Sequence, residues 1–245
     1  MKPIGLIGGL TYVSSLEYYR YLNEIANEKL GSSDTVEIIM YSVNFGEIRK
    51  LTEAGDWKNI SKIFCKTAQT IEAAGAGCIL IGANTMHKVA DDVAASVNVP
   101  VIHIAEAVAK QILKNGLKKV GLIGTKYTMQ LGFYADHLVK FGIETIIPGQ
   151  EDIDYINYTI YNEFSKNIFT DEAKANYLRI IAKLQEDGAE GIIGGCTEIP
   201  ILIKEGDCDI PIFDTAKIHS EAAVEYVMEL SAADKKSTPG KKRIV

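Results

Sequence analysis

The composition of this 245-residue chain excludes several kinds of protein. The net charge of −6 at pH 7 and the 47% hydrophobic content are typical of a globular protein and argue against nucleic-acid binding through clustered Lys and Arg. No apolar run approaches the roughly 18 residues of a membrane span, and the strand-like N-terminus leaves no room for a signal peptide. Four cysteines without CxxC or CxH spacing favour a cytoplasmic protein without disulfides or zinc.

Strands and helices are predicted to alternate along the whole chain. In the first half, strands are expected at 4–7, 36–42, 78–81 and 99–104, and helices at 15–29, 59–74 and 106–115. In the second half, strands are expected at 120–123, 144–147, 191–193 and 210–215, and helices at 132–141, 173–187 and 220–230. Such alternation indicates βαβ units with parallel sheets, and the continuous apolar runs at 78–81 and 191–193 indicate strands covered on both faces.

An internal repeat relates the two halves. Similar stretches pair in order: KPIGLIGG with KKVGLIGTK, GAGCILIGANT with GAEGIIGGCTE, and VPVIHI with IPIFDT. Within them Gly5 corresponds to Gly121, Gly75 to Gly188 and Pro100 to Pro211. The separations between these paired residues differ by only five residues, and matches in the same order at nearly one separation favour a tandem duplication. We therefore predict an α/β fold of two similar parallel-sheet domains, residues 1–116 and 117–230. The last helix could cross back to the first domain, and residues 231–245 form a polar tail.

Two loops at corresponding positions of the repeat are candidates for a ligand site. One carries Ala83, Asn84 and Thr85, and the other carries Cys196, Thr197 and Glu198. Each follows a predicted strand, and open parallel sheets bind ligands at the carboxyl ends of their strands. Two similar domains facing each other would bring both loops to one ligand in the cleft between them.

Cys196 is the candidate catalytic residue. Two glycines before it allow the backbone to approach a ligand closely, and Thr197 places a hydroxyl beside the sulfur. A free cysteine is usually a buried, inert residue, but the strand-end position and the internal symmetry favour chemistry here. We interpret Cys65 and Cys78 as core residues and Cys208 as a structural residue of a loop.

Several polar residues are candidates for binding a small anion. Asn84 and Thr85 suit a carboxylate, although capping of the following helix explains them equally well. The turn Gly8–Gly9 could accept an anion together with Thr11. Arg49 and Lys166 follow the second strand of each half and could bind an anionic substrate, although single cations are more often solvated.

Two histidines near these segments have simpler interpretations. His87 could reach the same cleft, but a histidine at the start of a helix is more often a surface group, and we expect that here. We expect His103 to be a satisfied core residue within a buried strand. Neither a dinucleotide fingerprint nor a Walker motif is present.

The chain resembles the aspartate/glutamate racemase family, from GLIGGLTYVSSLEYY through GANTMHKVAD to GGCTEIP and ending near Leu230. The resemblance implies two duplicated α/β domains, a homodimer, an acidic amino-acid substrate in the interdomain cleft, and no cofactor or metal. It also implies that two opposed thiols act as base and acid on the α-proton, with Cys196 as the second thiol. The residues implied to bind the substrate are Leu10, Thr11, Arg49, Asn84, Thr85, Lys166 and Thr197.

The chain departs from the family at Ala83. The family's first loop ordinarily begins with cysteine, and a subgroup with NTMHKVAD carries threonine, whereas alanine has no proton to exchange. Ala83 could be an engineered substitution, or mark a natural racemase with weak or one-sided activity. It could also mark a relative of the arylmalonate decarboxylases, in which one cysteine protonates a carbanion. A binding module without catalysis is the alternative from a different class.

Overall fold

The computed structural model describes residues 1–31, 33–204 and 206–237. Its strands are β1 (Ile4–Gly8), β2 (Ile38–Ser42), β3 (Cys78–Ile81), β4 (Lys119–Gly124), β5 (Glu144–Ile146), β6 (Ile192–Gly195) and β7 (Ile212–Asp214). Its helices are α1 (Tyr12–Leu30), α2 (Phe45–Glu53), α3 (Trp57–Ala73), α4 (Ala90–Ala95), α5 (Ile104–Lys114), α6 (Lys126–Gln130), α7 (Phe133–Val139), α8 (Gln150–Asn162), α9 (Asp171–Glu186), α10 (Ile199–Leu202) and α11 (Thr215–Ser237). Two 3₁₀ turns cover Thr85–Val89 and Phe164–Lys166.

The strands form two parallel sheets, with orders β2-β1-β3 and β5-β4-β6-β7. In the first sheet Ile4 of β1 lies opposite Ile38 on one side and Cys78 on the other. In the second sheet Gly121 of β4 lies opposite Ile192 of β6. The predicted fold class of two parallel-sheet α/β domains is therefore confirmed.

The repeat is less regular at its Pro-preceded strands. β7 is a strand of the second sheet, whereas the predicted strand 99–104 is reduced to a single bridge between Val101 and Ile79. The chain turns into α5 at Ile104, and His103 caps that helix by accepting the N–H of Ala105. The position predicted for His103 within a strand is therefore wrong, because helix α5 begins earlier than its apolar pattern indicates.

The final helix of each half packs against the other half. Helix α5 places Ile104, Val108 and Ile112 in the core of the second sheet. Helix α11 places residues such as Val224 and Val227 in the core around β1 of the first sheet. Full burial of an Ile or Val side chain is worth about 1.5–3 kcal/mol, so the two crossing helices hold the halves together.

The C-terminal helix is longer than its apolar pattern predicts. Helix α11 continues through Ser237, so the polar tail predicted from residue 231 begins inside this helix. Residues 238–245 of that tail lie outside the described residues. In the part of the chain that the structure describes, no helix is long and apolar enough to cross a membrane.

Candidate active site

A cavity of about 50 Å³ lies where the carboxyl ends of the two sheets face each other. Since one water needs about 10–15 Å³ of such space, the cavity accommodates a small ligand. The first half lines it with Leu10, Thr11, Ser14, Phe45, Ile48, Arg49, Thr52, Ala83, Asn84, Thr85 and Met86. The second half lines it with Thr125, Ile160, Tyr161, Gly195, Cys196, Thr197 and Glu198.

Both strand-end loops predicted from the repeat border this cavity. So do Leu10 and Thr11, which follow β1, and Arg49, which lies in α2 and not in the turn expected there. Lys166 is different, because it ends the second 3₁₀ turn, is exposed and does not line the cavity. The structure thus brings together every candidate site residue except Lys166.

The turn after β1 delivers Leu10 and Thr11 to the cavity. Gly9 has a φ of 77°, and a Cβ there would lie 2.3 Å from the carbonyl oxygen of Val43, so the turn requires glycine. The Gly9 N–H already donates to the Ser15 hydroxyl at 2.8 Å. This N–H is therefore not open to the anion that the sequence suggested for the turn.

The thiol of Cys196 is hydrogen-bonded to a buried carboxylate. Its Sγ donates to Oε2 of Glu198 at 2.9 Å, and the Thr197 hydroxyl donates to the same oxygen at 2.8 Å. Thr11, from the other half, donates to Oε1 at 2.8 Å. Glu198 is 2% exposed, and three donors hold its charge at the cavity wall.

These surroundings keep Cys196 in the thiol form. Burial raises the pKa of the Cys196 thiol well above its ordinary value, and the negative charge of Glu198 and the hydrogen bond to it raise that pKa further. A thiol that acts as a base needs a pKa that is lowered or matched to the task. The resting site instead pairs a proton donor, Cys196, with a proton acceptor, Glu198.

Asn84, which borders the cavity, has an unpartnered acceptor. Thr215 uses its proton to bind the carbonyl oxygen of Gly194 at 2.9 Å, so it must accept from Nδ2 of Asn84, also at 2.9 Å. This fixes the orientation of the amide and leaves Oδ1 of Asn84 buried without a hydrogen-bond partner. The side chain does not cap the 3₁₀ turn. Its free oxygen suits an N–H donor of a ligand rather than the carboxylate predicted for it.

The hydroxyl of Thr85 is occupied by the second half. It lies 2.8 Å from the Thr125 hydroxyl and 2.9 Å from the Thr128 hydroxyl, which are 3.1 Å apart. Thr125 also caps α6. The three buried hydroxyls satisfy one another and bind the Ala83 loop to the start of α6.

Arg49 supplies a cation beside two aromatic rings. Its Nε donates to Glu53 at 2.7 Å, and its guanidinium lies 4.9 Å from the centroid of the Tyr161 ring. The Tyr161 ring stacks on Phe45 across the cleft at 6.4 Å. Burial raises the pKa of Tyr161, so its hydroxyl is neutral.

Among the described residues, no cluster of three or more His, Cys, Asp or Glu side chains is arranged to hold a metal ion.

Some of these residues were not singled out by the sequence. Glu198 was noted only as the position that corresponds to Thr85, and Tyr161, Phe45, Thr125 and Ser14 were not considered. The interpretation of His87 as a surface group is wrong, since it is 3% exposed.

The fold and the site define an α/β protein in which two similar parallel-sheet domains enclose a small cavity. The model of the Asp/Glu/Hydantoin racemase family matches residues 7–223, and the chain belongs to this family. The family predicted from the sequence is thereby confirmed.

Solved structures and curated relatives agree with this assignment. A protein from Yersinia pestis, proposed to be an Asp/Glu racemase, is 43% identical with a TM-score of 0.86, covering 93% of this chain and 100% of that chain. An aspartate racemase homologue from Pyrococcus horikoshii OT3 is 41% identical with a TM-score of 0.82, covering 93% of this chain and 100% of that chain. The broad specificity amino-acid racemase RacX of Bacillus subtilis (strain 168) is 23% identical over 226 residues, or 90% of this chain and 96% of RacX.

Proposed function

We propose that the protein exchanges the α-proton of an acidic amino acid, with Cys196 as the acid/base on one face of the substrate. The observation that carries this proposal is the 2.9 Å hydrogen bond from the Cys196 thiol to Glu198 in the cavity between the domains. Ala83 borders the same cavity from the other half and has no proton to exchange.

The proton transfers follow from this pair. Glu198 takes the thiol proton, and the resulting Cys196 thiolate removes the proton from Cα, which leaves a carbanion and a neutral thiol. In the reverse step the thiol returns a proton to Cα, and Glu198 gives its own proton back to the sulfur. A positioned acid/base of this kind contributes about 10²–10⁴-fold to a rate.

Inversion requires a second proton donor on the opposite face. Ala83 cannot supply it, and the neighbouring Thr85 hydroxyl is held by Thr125 and Thr128. The Thr11 hydroxyl is likewise engaged, because it donates to Glu198 at 2.8 Å, which leaves solvent water as the donor for that face. We therefore propose that exchange at the Cys196 face is faster than inversion.

The charges around the cavity suit an amino acid with an acidic side chain. The free Oδ1 of Asn84 and the carboxylate of Glu198 can accept hydrogen bonds from an α-ammonium group. Arg49 is the cation of the cavity lining and can bind the side-chain carboxylate. RacX is described as broad in specificity, so neutral amino acids belong in the test.

The test is incubation with L- and D-aspartate, L- and D-glutamate, and alanine in D₂O. Loss of the Cα–H signal is followed by NMR and the enantiomer ratio by chiral chromatography. We expect exchange of one aspartate or glutamate enantiomer, with inversion slower than exchange, and no exchange in the variant Cys196→Ser. Absence of exchange for every amino acid, in both the unsubstituted chain and Ala83→Cys, would overturn the proposal.

A second candidate reaction is favoured by the raised pKa of the Cys196 thiol. A neutral thiol facing one side of a substrate can protonate the carbanion left by decarboxylation and needs no second acid. Release of CO₂ from α-substituted malonates, with deuterium entering one face in D₂O, would support this reaction. Absence of CO₂ with measurable amino-acid exchange would exclude it.

We also propose that the chain forms a homodimer, as the family resemblance implies. Tyr12, Leu16 and Tyr19 lie on one face of α1, and Leu16 is 61% exposed. Three large apolar side chains on one exposed face are typical of a contact surface. Light scattering should give a dimer mass for the natural chain and a monomer mass for Leu16→Glu, and a monomeric natural chain would contradict the proposal.

A further inference from the structure

The four histidines of the chain form one cluster behind the Ala83 loop. The His87 ring lies 4.9 Å from the ring of His103 and 5.4 Å from that of His219. His103 stacks on His137 at 4.1 Å, with 4° between the ring planes. The cluster thus connects the first 3₁₀ turn, the start of α5, helix α7 and helix α11.

His87 contacts the site loop through hydrogen bonds that need a neutral ring. Its Nε2 accepts the N–H of Ile104 at 3.2 Å, so Nδ1 carries the proton and donates to the carbonyl oxygen of Ala83 at 3.0 Å. A protonated imidazole has no acceptor for the Ile104 N–H. His87 therefore joins the Ala83 carbonyl to the start of α5 only while it is uncharged.

Two further members of the cluster also use a ring nitrogen as an acceptor. Nε2 of His219 donates to the carbonyl oxygen of Ile102 at 2.6 Å, which leaves Nδ1 to accept from the Tyr18 hydroxyl at 2.8 Å. His103 accepts the N–H of Ala105 at the start of α5. Protonation of either ring breaks one of these bonds and, at His103, adds a positive charge to a helix N-terminus, where it is unfavourable.

The charged groups around the cluster do not offset a proton on His87. His87 faces the three other histidines, each of which opposes a charge on its ring. Asp91 of α4, Glu106 of α5 and Lys140 at the end of α7 act on the outer rings, His103 and His137. Since each ring lies close to another, protonation of one ring makes protonation of its neighbour less favourable.

We propose that His87 is the positioning residue for the loop Ala83–Thr85, and that acidification releases this loop by charging the histidine cluster. The inference rests on the proposed function in that the loop is taken as part of the substrate site. The position of the loop can be measured without substrate, so failure of one proposal is distinguishable from failure of the other.

The direction of the pH effect follows from the surroundings of each ring. Burial lowers the pKa of His103 to about 4 and that of His219 to about 3, and burial lowers the pKa of His87 as well. Because these values lie below the unfolded value of about 6.5, the cluster contributes its full stability above pH 6.5. That contribution is lost as pH falls from 6.5 to about 4 for His103 and to about 3 for His219, by up to about tenfold in the folding equilibrium per histidine and pH unit.

The experiment uses NMR of the full chain without substrate. Carbon-13 labelling of histidine follows all four rings, and the amide signals of Asn84 and Thr85 follow the loop as pH is lowered from 7.5 to 4. We expect the loop signals to change together with the first ring protonation, below pH 6.5. Ordinary titration of the rings near pH 6.5 without a change in the loop would overturn the proposal.

Two substitutions remove ionisable rings from the cluster. His103→Asn retains a good helix cap, and His137→Phe retains an aromatic ring at that position. In the double variant the loop transition should move to lower pH by about 0.5–1 unit, and an unchanged midpoint would contradict a role for the cluster. Lys114→Gln, a change at an exposed position near the end of α5, is the control and should leave the midpoint in place.

The variant His87→Gln tests the positioning role itself. Because glutamine carries its donor and acceptor on a flexible side chain rather than on a rigid ring, amide exchange in the loop should quicken by roughly two- to tenfold at pH 7.5, and the part of the pH transition that is due to His87 should be lost. Unchanged exchange in a folded His87→Gln protein would overturn the proposal. If this variant does not fold, the double variant above still decides the outcome.

Discussion

The two strand-end loops occupy equivalent positions and have diverged in chemistry. The first loop binds the second half through Asn84 and Thr85, and the second loop binds the first half through the hydrogen bond from Thr11 to Glu198. Each loop is thus held by the opposite domain, but an ionisable pair exists only in the Cys196–Glu198 loop. Mutual support of the loops and proton transfer are therefore separate properties, and substitutions can test them one at a time.

The largest effect is expected from removing the thiol of the second loop. Cys196→Ser keeps the shape and one hydrogen bond to Glu198 but replaces the thiol with a far weaker acid. Exchange of the α-proton in D₂O should fall by about 10³–10⁴-fold, the upper part of the range for a positioned acid/base. Binding of the substrate, measured by calorimetry, should change little.

The control for this loss is Cys208→Ser. That thiol lies outside the cavity and donates to the carbonyl oxygen of Ile210 at 3.3 Å. Equal loss of exchange in both variants would mean that the assay reports folding, and retention of exchange in Cys196→Ser would remove Cys196 from the chemistry.

The next largest effect, a gain in the rate of inversion, is expected when a thiol is added to the first loop. Ala83→Cys places a second thiol on the side of the cavity that lacks a proton donor, so inversion should become about 10²–10³-fold faster. Chiral chromatography measures this gain directly. Ala83→Ser is the matched control, and an equal gain in both variants would point to a hydroxyl or ordered water rather than a thiol.

Removing the charge of Glu198 should change the pKa of the Cys196 thiol and the rate of α-proton exchange in different ways. In Glu198→Gln the thiol loses the negative charge that raises its pKa, so the pKa falls and alkylation of Cys196 at a fixed pH becomes faster. Exchange of the α-proton should nevertheless slow by roughly 10²-fold, because the acceptor for the thiol proton is gone.

Peptide-resolved mass spectrometry of iodoacetamide-treated protein measures the first effect, and D₂O exchange measures the second. Glu186→Gln, a change at an exposed position at the end of α9, is the control. Slower alkylation in Glu198→Gln would mean that Glu198 activates the thiol by another route than the one inferred from its charge.

The repeat and the apolar periodicity predicted the parallel sheets because both features are local in sequence. Helix α8 was missed although Ile153, Ile156 and Ile160 are buried on one face, since its tyrosines and β-branched residues weaken a helical pattern. Helix α2 was missed because nine residues are too few for periodicity to be read.

The sequence predicted the position of the candidate site better than it predicted the hydrogen bonds within the site. The repeat predicted that the loops of Ala83 and Cys196 face one cleft, and both residues border the cavity. One of the three donors to Glu198, Thr11, is 187 residues away in the chain. Likewise, Asn84 takes its orientation from Thr215, 131 residues away. Hydrogen bonds of this kind depend on how the domains face each other, which no local pattern encodes.

The smallest effect is expected from removing the hydrogen bond between Thr11 of the first half and Glu198 of the second half. Thr11→Val removes the 2.8 Å bond to Glu198 and the cap of α1, in which the Thr11 hydroxyl accepts from the Ser14 N–H at 3.0 Å. The free energy of unfolding should fall by about 2 kcal/mol, since each bond contributes about 1 kcal/mol or more.

The matched variant Thr11→Ser keeps both bonds and should differ from the natural chain by less than about 0.5 kcal/mol. Urea unfolding measures both variants. A loss confined to stability, with α-proton exchange per folded molecule unchanged, would show that Thr197 and Cys196 are enough to hold Glu198 at the cavity. A loss of exchange as well would mean that the first half, despite Ala83, still contributes to catalysis by positioning this carboxylate through Thr11.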